Sequence, residues 1–406
     1  MNIIFIEPSF PANQQSFVRG LHQTGARVIG IGERPRAHLH SDVAGWLSDY
    51  VQVSSVVDEE VLLQAVRTVQ QGIRVDRLEA TVEAHIMPAA SVRAAAGIPG
   101  TSVQTAYLCR DKPAMKEVLR QAGIPCARSI RADQAGMARE FAQQVGYPLI
   151  IKPPDGAGAC ATFKVRDARE LEQVIIASGL ADGMAVAIEE FVEGHEGFLD
   201  TLTIDGEVAH EFITHYYPNV LVAMRERWIS PQMVTTNRMD APGYNEVRHM
   251  ARQVIQLLDI GTSATHMEWF FGPKGLSFSE IGCRPPGVSQ WDVYNAANDF
   301  DLYFEWAAAL VHGQTRQQAS RRFAAGMIAL RPSQDGRIVG YAGLEAINKA
   351  WGHCIVASHL PPAGTPTQAV EAGYMANAWM RVRHPDYDTL RHIMNTIGET
   401  VKVYAA

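Results

Sequence analysis

Two glutamates, an arginine and a pair of lysines carry the chemistry that can be read from this 406-residue chain. The stretch from His266 to Gly287 reads HMEWFFGPKGLSFSEIGCRPPG, with apolar runs Met267–Phe271 and Leu276–Ile281 on either side of Gly272-Pro273-Lys274-Gly275. β-formers around a Gly/Pro-rich turn predict a hairpin. Side chains alternate faces along a strand, so the loop length decides whether Glu268 and Glu280 meet. A three-residue loop, Pro273–Gly275, sets them directly opposite on one face. A four-residue loop pairs Glu268 with Ser279 and parts the acids unless a bulge restores them. We expect the first register. Carboxylates facing each other at about 5 Å repel, and a divalent cation such as Mg²⁺, which takes hard oxygen ligands, removes the repulsion. Arg284 then supplies a fixed cation that can face a phosphate or a carboxylate. Singly, these residues suit a solvated edge hairpin. The facing acids, the arginine and the Pro-Pro-Gly stop together favour a metal–phosphate site.

Two lysines point to the same ligand chemistry. Tyr147–Pro154 reads as a strand ending in Lys152, and Asp155–Ala161 follows as a loop of small residues that includes Gly156, Ala157 and Gly158. Backbone N–H groups of such a loop can close around phosphate oxygens. It is not a Walker loop, because its lysine precedes it. Asp111 can cap a helix that begins at Lys112-Pro113. Lys112 in that first turn opposes the helix dipole, and a bound phosphate would resolve the conflict.

These motifs must be positioned by ordinary α/β elements. Ile3–Ile6, Arg27–Gly32 and Tyr50–Val53 read as strands, with helices at Gln14–Thr24 and Asp58–Gly72, which predicts βαβ units on a parallel sheet. Leu78–Val82 is a candidate fourth strand. Glu83 lies at its C-terminal end, where ligands gather in open α/β sheets; a helix cap is an equal reading. Met87–Ala96 reads as a helix and Thr101–Arg110 as a connection. Leu199–Ile204 and Val208–Thr214 form a hairpin around Asp205-Gly206. The segment 215–238, with His215, Tyr216 and Arg225, reads as irregular and is a candidate for substrate specificity as much as a surface excursion. Helices follow at Tyr244–Leu257, Asp299–Val311 and Tyr387–Val401.

Glu268 and Glu280, twelve positions apart in a Glu-x11-Glu pattern, with Glu-Ile-Gly-Cys-Arg-Pro-Pro-Gly and Asp-Lys-x-x-x-Lys at 111–116, resemble the ATP-grasp superfamily, which includes biotin carboxylase, purine-pathway ligases, D-alanine–D-alanine ligase and amino-acid ligases. The family's usual pattern is Glu-Ile-Asn-x-Arg, and Gly282 stands where that asparagine is expected. The resemblance implies ATP and Mg²⁺ as cofactors, with Lys112 and Lys152 on the phosphates and the loop at 156–158 folded over them. It implies that Glu189-Glu190-Phe191-Val192 is the hinge lining the adenine and that Glu196 takes the ribose hydroxyls; a carboxylate suits a vicinal diol. Glu268 and Glu280 would hold the metal. Arg284 and Lys152 would be catalytic, and Glu83, His215, Tyr216, Arg225, Arg284 and Gly287 are candidates for contact with substrate.

Composition narrows the class. The chain is 47% apolar and 19% charged with a net charge of −7, so no basic surface recommends nucleic acid or an anionic membrane as partner. Five scattered cysteines suggest neither a disulfide framework nor a zinc site, and a reducing, cytoplasmic setting fits. The first residues show no signal peptide, and no run reaches a transmembrane length. The expected fold is α/β and α+β in three parts: an N-terminal Rossmann-like (pre-ATP-grasp) domain over 1–110, a two-lobed ATP-grasp region over 111–318 (lobes 123–188 and 189–318), and a small C-terminal β-rich lobe over 319–406. A homodimer is compatible with this. The expected activity is an ATP-dependent carboxylate–amine ligase working through an acyl phosphate. The alternatives are a carboxylase working through carboxyphosphate and a nucleotide-binding regulator without catalysis.

Overall fold

The computed structural model describes residues 1–155 and 161–406; Gly156, Ala157 and Gly158, expected to fold over phosphates, lie outside the described residues. Strands β1 (Asn2–Ile6), β2 (Arg27–Gly32), β3 (Asp49–Gln52) and β4 (Arg77–Glu79) form an all-parallel sheet in the order β3-β2-β1-β4. Ile3, Ile4, Phe5 and Ile6 are all buried, because both faces of a parallel sheet are covered by helices. Ile3 and Phe5 pack with Phe17 and Leu21 of the helix Gln14–Gln23, while Ile4 and Ile6 pack with Leu62 and Val66 of the helix Glu59–Gly72. Asp58 caps the latter helix, accepting from the N–H groups of Glu60 and Val61. The expected connection at 101–110 instead contains the helix Val103–Leu108, started by Ser102, whose hydroxyl accepts from the Thr105 N–H at 3.0 Å.

A second sheet holds β5 (Ser129–Ala132), β6 (Leu149–Lys152), β7 (Phe163–Val165) and β8 (Val186–Glu190), antiparallel in the order β5-β8-β6-β7. The third and largest sheet contains β9 (His195–Ile204), β10 (Glu207–Tyr217), β11 (Gln232–Thr235), β12 (Ala264–Gly272), β13 (Gly275–Gly282) and β14 (Ala324–Leu330). After β15 (Ile338–Ala342), which pairs with the final strand, β16 (Ile355–His359) and β17 (Ala378–His384) return to it; the final strand is β18 (Lys402–Ala405). Its order is β13-β12-β9-β10-β11-β14-β17-β16, so the C-terminal strands continue the same sheet that carries the acidic hairpin.

Two regions differ from expectation. Residues 215–238 are not irregular throughout: β10 runs to Tyr217, and a short helix, Val220–Ala223, leads into β11 near the middle of the sheet. A buried four-residue strand has neither the length nor the alternation to announce itself. The helix expected at 299–311 is Leu302–His312, started by Asp301, which accepts from the Tyr303 N–H, and a further helix, Gln290–Asn298, precedes it where none was expected. Phe17 meets Trp291, Tyr303 and Trp306 at ring distances of 5.0, 4.9 and 5.1 Å, which fastens the N-terminal sheet to these helices. Among the described residues no helix is long and apolar enough to cross a membrane.

Gly197 on β9 is a point of close packing in the large sheet. A Cβ there would lie 2.4 Å from the Trp269 ring and 2.8 Å from the Thr214 carbonyl oxygen. Gly197→Ala should therefore lower stability by about 1–3 kcal/mol through overpacking, seen as a lower urea midpoint with an unchanged slope. An unchanged midpoint would mean that the indole moves aside without cost.

Candidate active site

β12 and β13 meet as the expected hairpin, and Glu268 stands opposite Glu280. The route to that register differs from the expected one. Gly272 pairs with Gly275, leaving Pro273-Lys274 at the tip, and Gly275 adopts a φ of +86°. The pairing then runs through Trp269 and Phe278 and would set Glu268 against Ser279. A bulge between Glu268 and Trp269 absorbs Ser279. Phe278 therefore stays in the core with Trp269, while Glu280 turns onto the face of Glu268. Re-aiming one side chain is what a bulge does well.

The period of two then gathers the floor of the site. Phe270, Glu268 and His266 of β12 share a face with Glu196 and Phe198 of β9 and with Tyr216 of β10, and all six line one cleft of about 1060 Å³. Lys112 and Lys116 enter from the helix Lys112–Gln121, and Lys152 from the end of β6. Asp111 caps that helix as expected, accepting from the Ala114 N–H at 2.9 Å. Glu190, Phe191 and Val192 border the cleft, as do Glu83, Arg225, Arg284 and Gly287.

Glu189 binds the two buried lysines together. One carboxylate oxygen lies 2.7 Å from Lys116 Nζ and the other 3.0 Å from Lys152 Nζ. Glu280 lies 3.4 Å from Lys112 Nζ and 3.7 Å from Lys152 Nζ. Burial by itself would push the Glu189 pKa up, but Lys116 and Lys152 hold it down to about 2. Burial lowers the Lys116 pKa against the pull of Glu189. At Lys152 burial is outweighed by Glu189 and Glu280, and its pKa rises above the ordinary lysine value. Glu190 turns outward to Arg128 at 3.0 Å, and Phe191 lies under Lys164, whose Nζ is 3.5 Å from the ring centre.

Negative charge crowds the other side of the cleft. Burial, helped by Glu268 and Glu280, raises the Glu196 carboxyl to about 8, and one of its oxygens accepts the Val220 N–H at 2.7 Å. His266 lies 2.7 Å from Asp200 and 3.6 Å from Glu268; these acids overcome its burial and raise its pKa to about 9. Tyr216 donates to Glu268 at 3.3 Å. Arg284 Nε lies 2.5 Å from Glu83, which also faces Arg110 at 3.6 Å, so Glu83 is an ion-pair partner as well as the start of a short helix. Arg225 donates to the Thr162 carbonyl at 2.7 Å.

Of the described residues singled out from the sequence, His215 is the one that the fold keeps out of this cleft. It neighbours Tyr216 on β10 and so faces the opposite side, 2.9 Å from both His195 and the Tyr244 hydroxyl. Lys116 and His266 join the site beyond the residues expected there. Both had a signal: Lys116 is one turn after Lys112, and His266 is two residues before Glu268 on the same strand.

Residues 117–297 match the model of the ATP-grasp domain. This chain carries an ATP-grasp domain. It is 27% identical over 294 residues to an L-arginine-specific L-amino acid ligase of Bacillus subtilis, covering 71% of this chain and 70% of that one. It is 24% identical over 236 residues to the alanine–anticapsin ligase of Bacillus subtilis strain 168, covering 52% of this chain and 48% of the relative. The crystal structure of an L-amino acid ligase from Bacillus licheniformis superposes over 100% of this chain and 98% of that one, with a TM-score of 0.77 at 16% identity. ATP-grasp enzymes use ATP, and the cleft between the second and third sheets is where the lysines and acids converge.

The donor set of this ATP-grasp cleft fits a hard divalent cation. Glu268 and Glu280 face each other across the hairpin, and among the described residues no group of three or more His, Cys, Asp or Glu forms a metal cage. Mg²⁺ is commonly bound by one or two carboxylates plus phosphates and water.

Glu189→Gln would take from Lys116 its close counter-charge and leave Lys152 with the longer contact to Glu280. Breaking a buried pair in this way costs about 3–5 kcal/mol, so the variant should unfold at lower denaturant at pH 7 and bind ATP more weakly. The folded-state pKa is depressed, so the contribution is present above pH 4.5 and fades as pH falls toward 2. Denaturation of both proteins across pH 3–7 should show the gap closing on the acid side; a constant gap would assign the loss to packing.

Proposed function

We propose that this chain is an ATP-dependent carboxylate–amine ligase that forms an amide bond through an acyl phosphate and releases ADP and phosphate. The observation that carries the reading is the opposed pair Glu268 and Glu280 beneath Lys112 and Lys152, with Arg284 at the end of the same hairpin. The lysines offer charge to the phosphates of ATP, and Glu189 keeps Lys116 and Lys152 in place. Bound through Glu268 and Glu280, Mg²⁺ would supply charge neutralisation on the phosphates. A carboxylate oxygen of the acid bonds to the γ-phosphorus as the bond to ADP breaks. The amine nitrogen then bonds to the acyl carbon, loses its proton, and phosphate leaves. Arg284 stabilises the negative charge on the acyl phosphate and on the tetrahedral oxyanion. Glu83, held by Arg284 and Arg110, offers a carboxylate to the incoming amine.

Hydroxylamine in place of the amine should yield a hydroxamate with ATP and the acid, accompanied by ADP. AMP and pyrophosphate as products would overturn the assignment.

Gly282 is the departure from the pattern expected at the metal pair. A Cβ at 282 would stand 3.5 Å from Arg284 Cγ and 3.7 Å from Glu83 Oε2, ordinary contact distances. A Cβ is therefore tolerated there, and an asparagine would bring an amide oxygen to the neighbourhood of Glu280 as a further neutral ligand. Gly282→Asn should lower the Mg²⁺ concentration needed for half-maximal ADP release by a few-fold at saturating ATP. Superimposable Mg²⁺ titrations of the two proteins would remove position 282 from the metal site.

A further inference from the structure

We infer that the acid activated here carries a long apolar side chain, of the methionine or phenylalanine type, seated in a recess built by Phe198, Tyr216, Met224, Met233, Tyr374 and Met375. The inference rests on the ligase reading and names the substrate class of that same cleft.

All six residues line the cleft, and all belong to or pack against one apolar cluster. Their place follows from the sheet order. β9, β10 and β11 lie on the side of β12 away from β13, so the recess starts where the pair Glu268–Glu280 ends. Tyr216 marks the border: its hydroxyl donates to Glu268 at 3.3 Å, while its ring lies 4.9 Å from that of Phe198 and 6.4 Å from that of Tyr374. The hinge residues Phe191 and Val192 belong to the opposite, small-sheet wall. An acid with its carboxylate beside Arg284 can therefore extend its side chain over β9–β11, across the cleft from Phe191 and Val192.

The lining also states the chemistry of that side chain. None of the six residues is charged. Three are methionines, whose flexible thioethers mould to bulky apolar groups. Tyr374 is 7% exposed, and its hydroxyl has no hydrogen-bond partner among the described residues. A thioether sulfur or an aromatic face can accept weakly from it. Glu196 adjoins the recess, but its carboxylate accepts the Val220 N–H at 2.7 Å; Glu226 and Glu371 also line the cleft, and both are exposed.

The test is hydroxamate formation with ATP, Mg²⁺ and hydroxylamine, using L-methionine, L-phenylalanine, glycine, L-aspartate and L-arginine in turn. Because hydroxylamine replaces the amine, the selectivity measured belongs to the acid. Methionine and phenylalanine should exceed the other three in kcat/KM by roughly ten-fold or more. Met375→Asp should lower the methionine value by about the same factor and raise that of arginine. Met224→Ala should lower the methionine value without a gain for arginine, which keeps the test available if the charged variant does not fold. A wild-type preference for arginine, aspartate or glycine, or equal values across the set, would overturn the recess as the acid's pocket. Absence of hydroxamate with every acid would overturn the ligase reading, and this inference with it.

Discussion

The alternation of side chains along β9, β10 and β12 is the constraint on which the site depends. Each strand can present only every second residue to the cleft, and the cleft takes Glu196 and Phe198, Tyr216, and His266, Glu268 and Phe270 in that rhythm. The intervening residues, Leu199, Met267 and Trp269, fill the core below. Chemistry and stability are thus written on opposite faces of the same strands. The hairpin shows how strict this is. One extra residue, Ser279, is set aside in a bulge so that Phe278 and Glu280 face opposite ways.

Charge is balanced over the cleft as a whole rather than pair by pair. Glu189 is fully committed to Lys116 and Lys152, and Glu280 reaches two lysines at longer range. Glu268 faces Glu280 and has His266 and Tyr216 beside it. The consequence appears at Glu196, whose pKa rises to about 8 because burial and Glu268 disfavour a further negative charge. A cation arriving at Glu268 would relax that pressure, so the charge at Glu268 and the protonation of Glu196 are electrostatically linked.

Much of this could be read from the chain, and the exceptions share a cause. The parallel strands announced themselves as continuous apolar runs, Asp111 and Asp58 as caps, and the acidic hairpin as two runs around a Gly/Pro turn. Glu268 and Glu280 were placed together correctly, but by a loop length that the fold does not use. β11 was missed because Gln232–Thr235 is too short to show a period, although it lies near the centre of the sheet. His215 was grouped with its neighbours by composition, whereas the strand through Tyr217 assigns it to the other face. Lys116 carried the right spacing, but its partner Glu189 is distant in sequence, and only tertiary packing reveals a pair of that kind. The recess around Tyr374 was invisible for the same reason: its residues come from three strands and two connecting segments.

The bulge at Ser279 also bears on how such hairpins vary. What must be preserved is that both acids face the same way, and the number of residues between them is only one means to that end. A longer turn with no bulge, or a shorter one with the extra residue set aside, delivers the same pair to the cleft. Insertions and deletions in this hairpin should therefore survive in compensating pairs, one at the tip and one in a strand, while either alone would carry one acid to the far side of the sheet. Spacing read along the chain is then a loose guide to this site, and register a strict one.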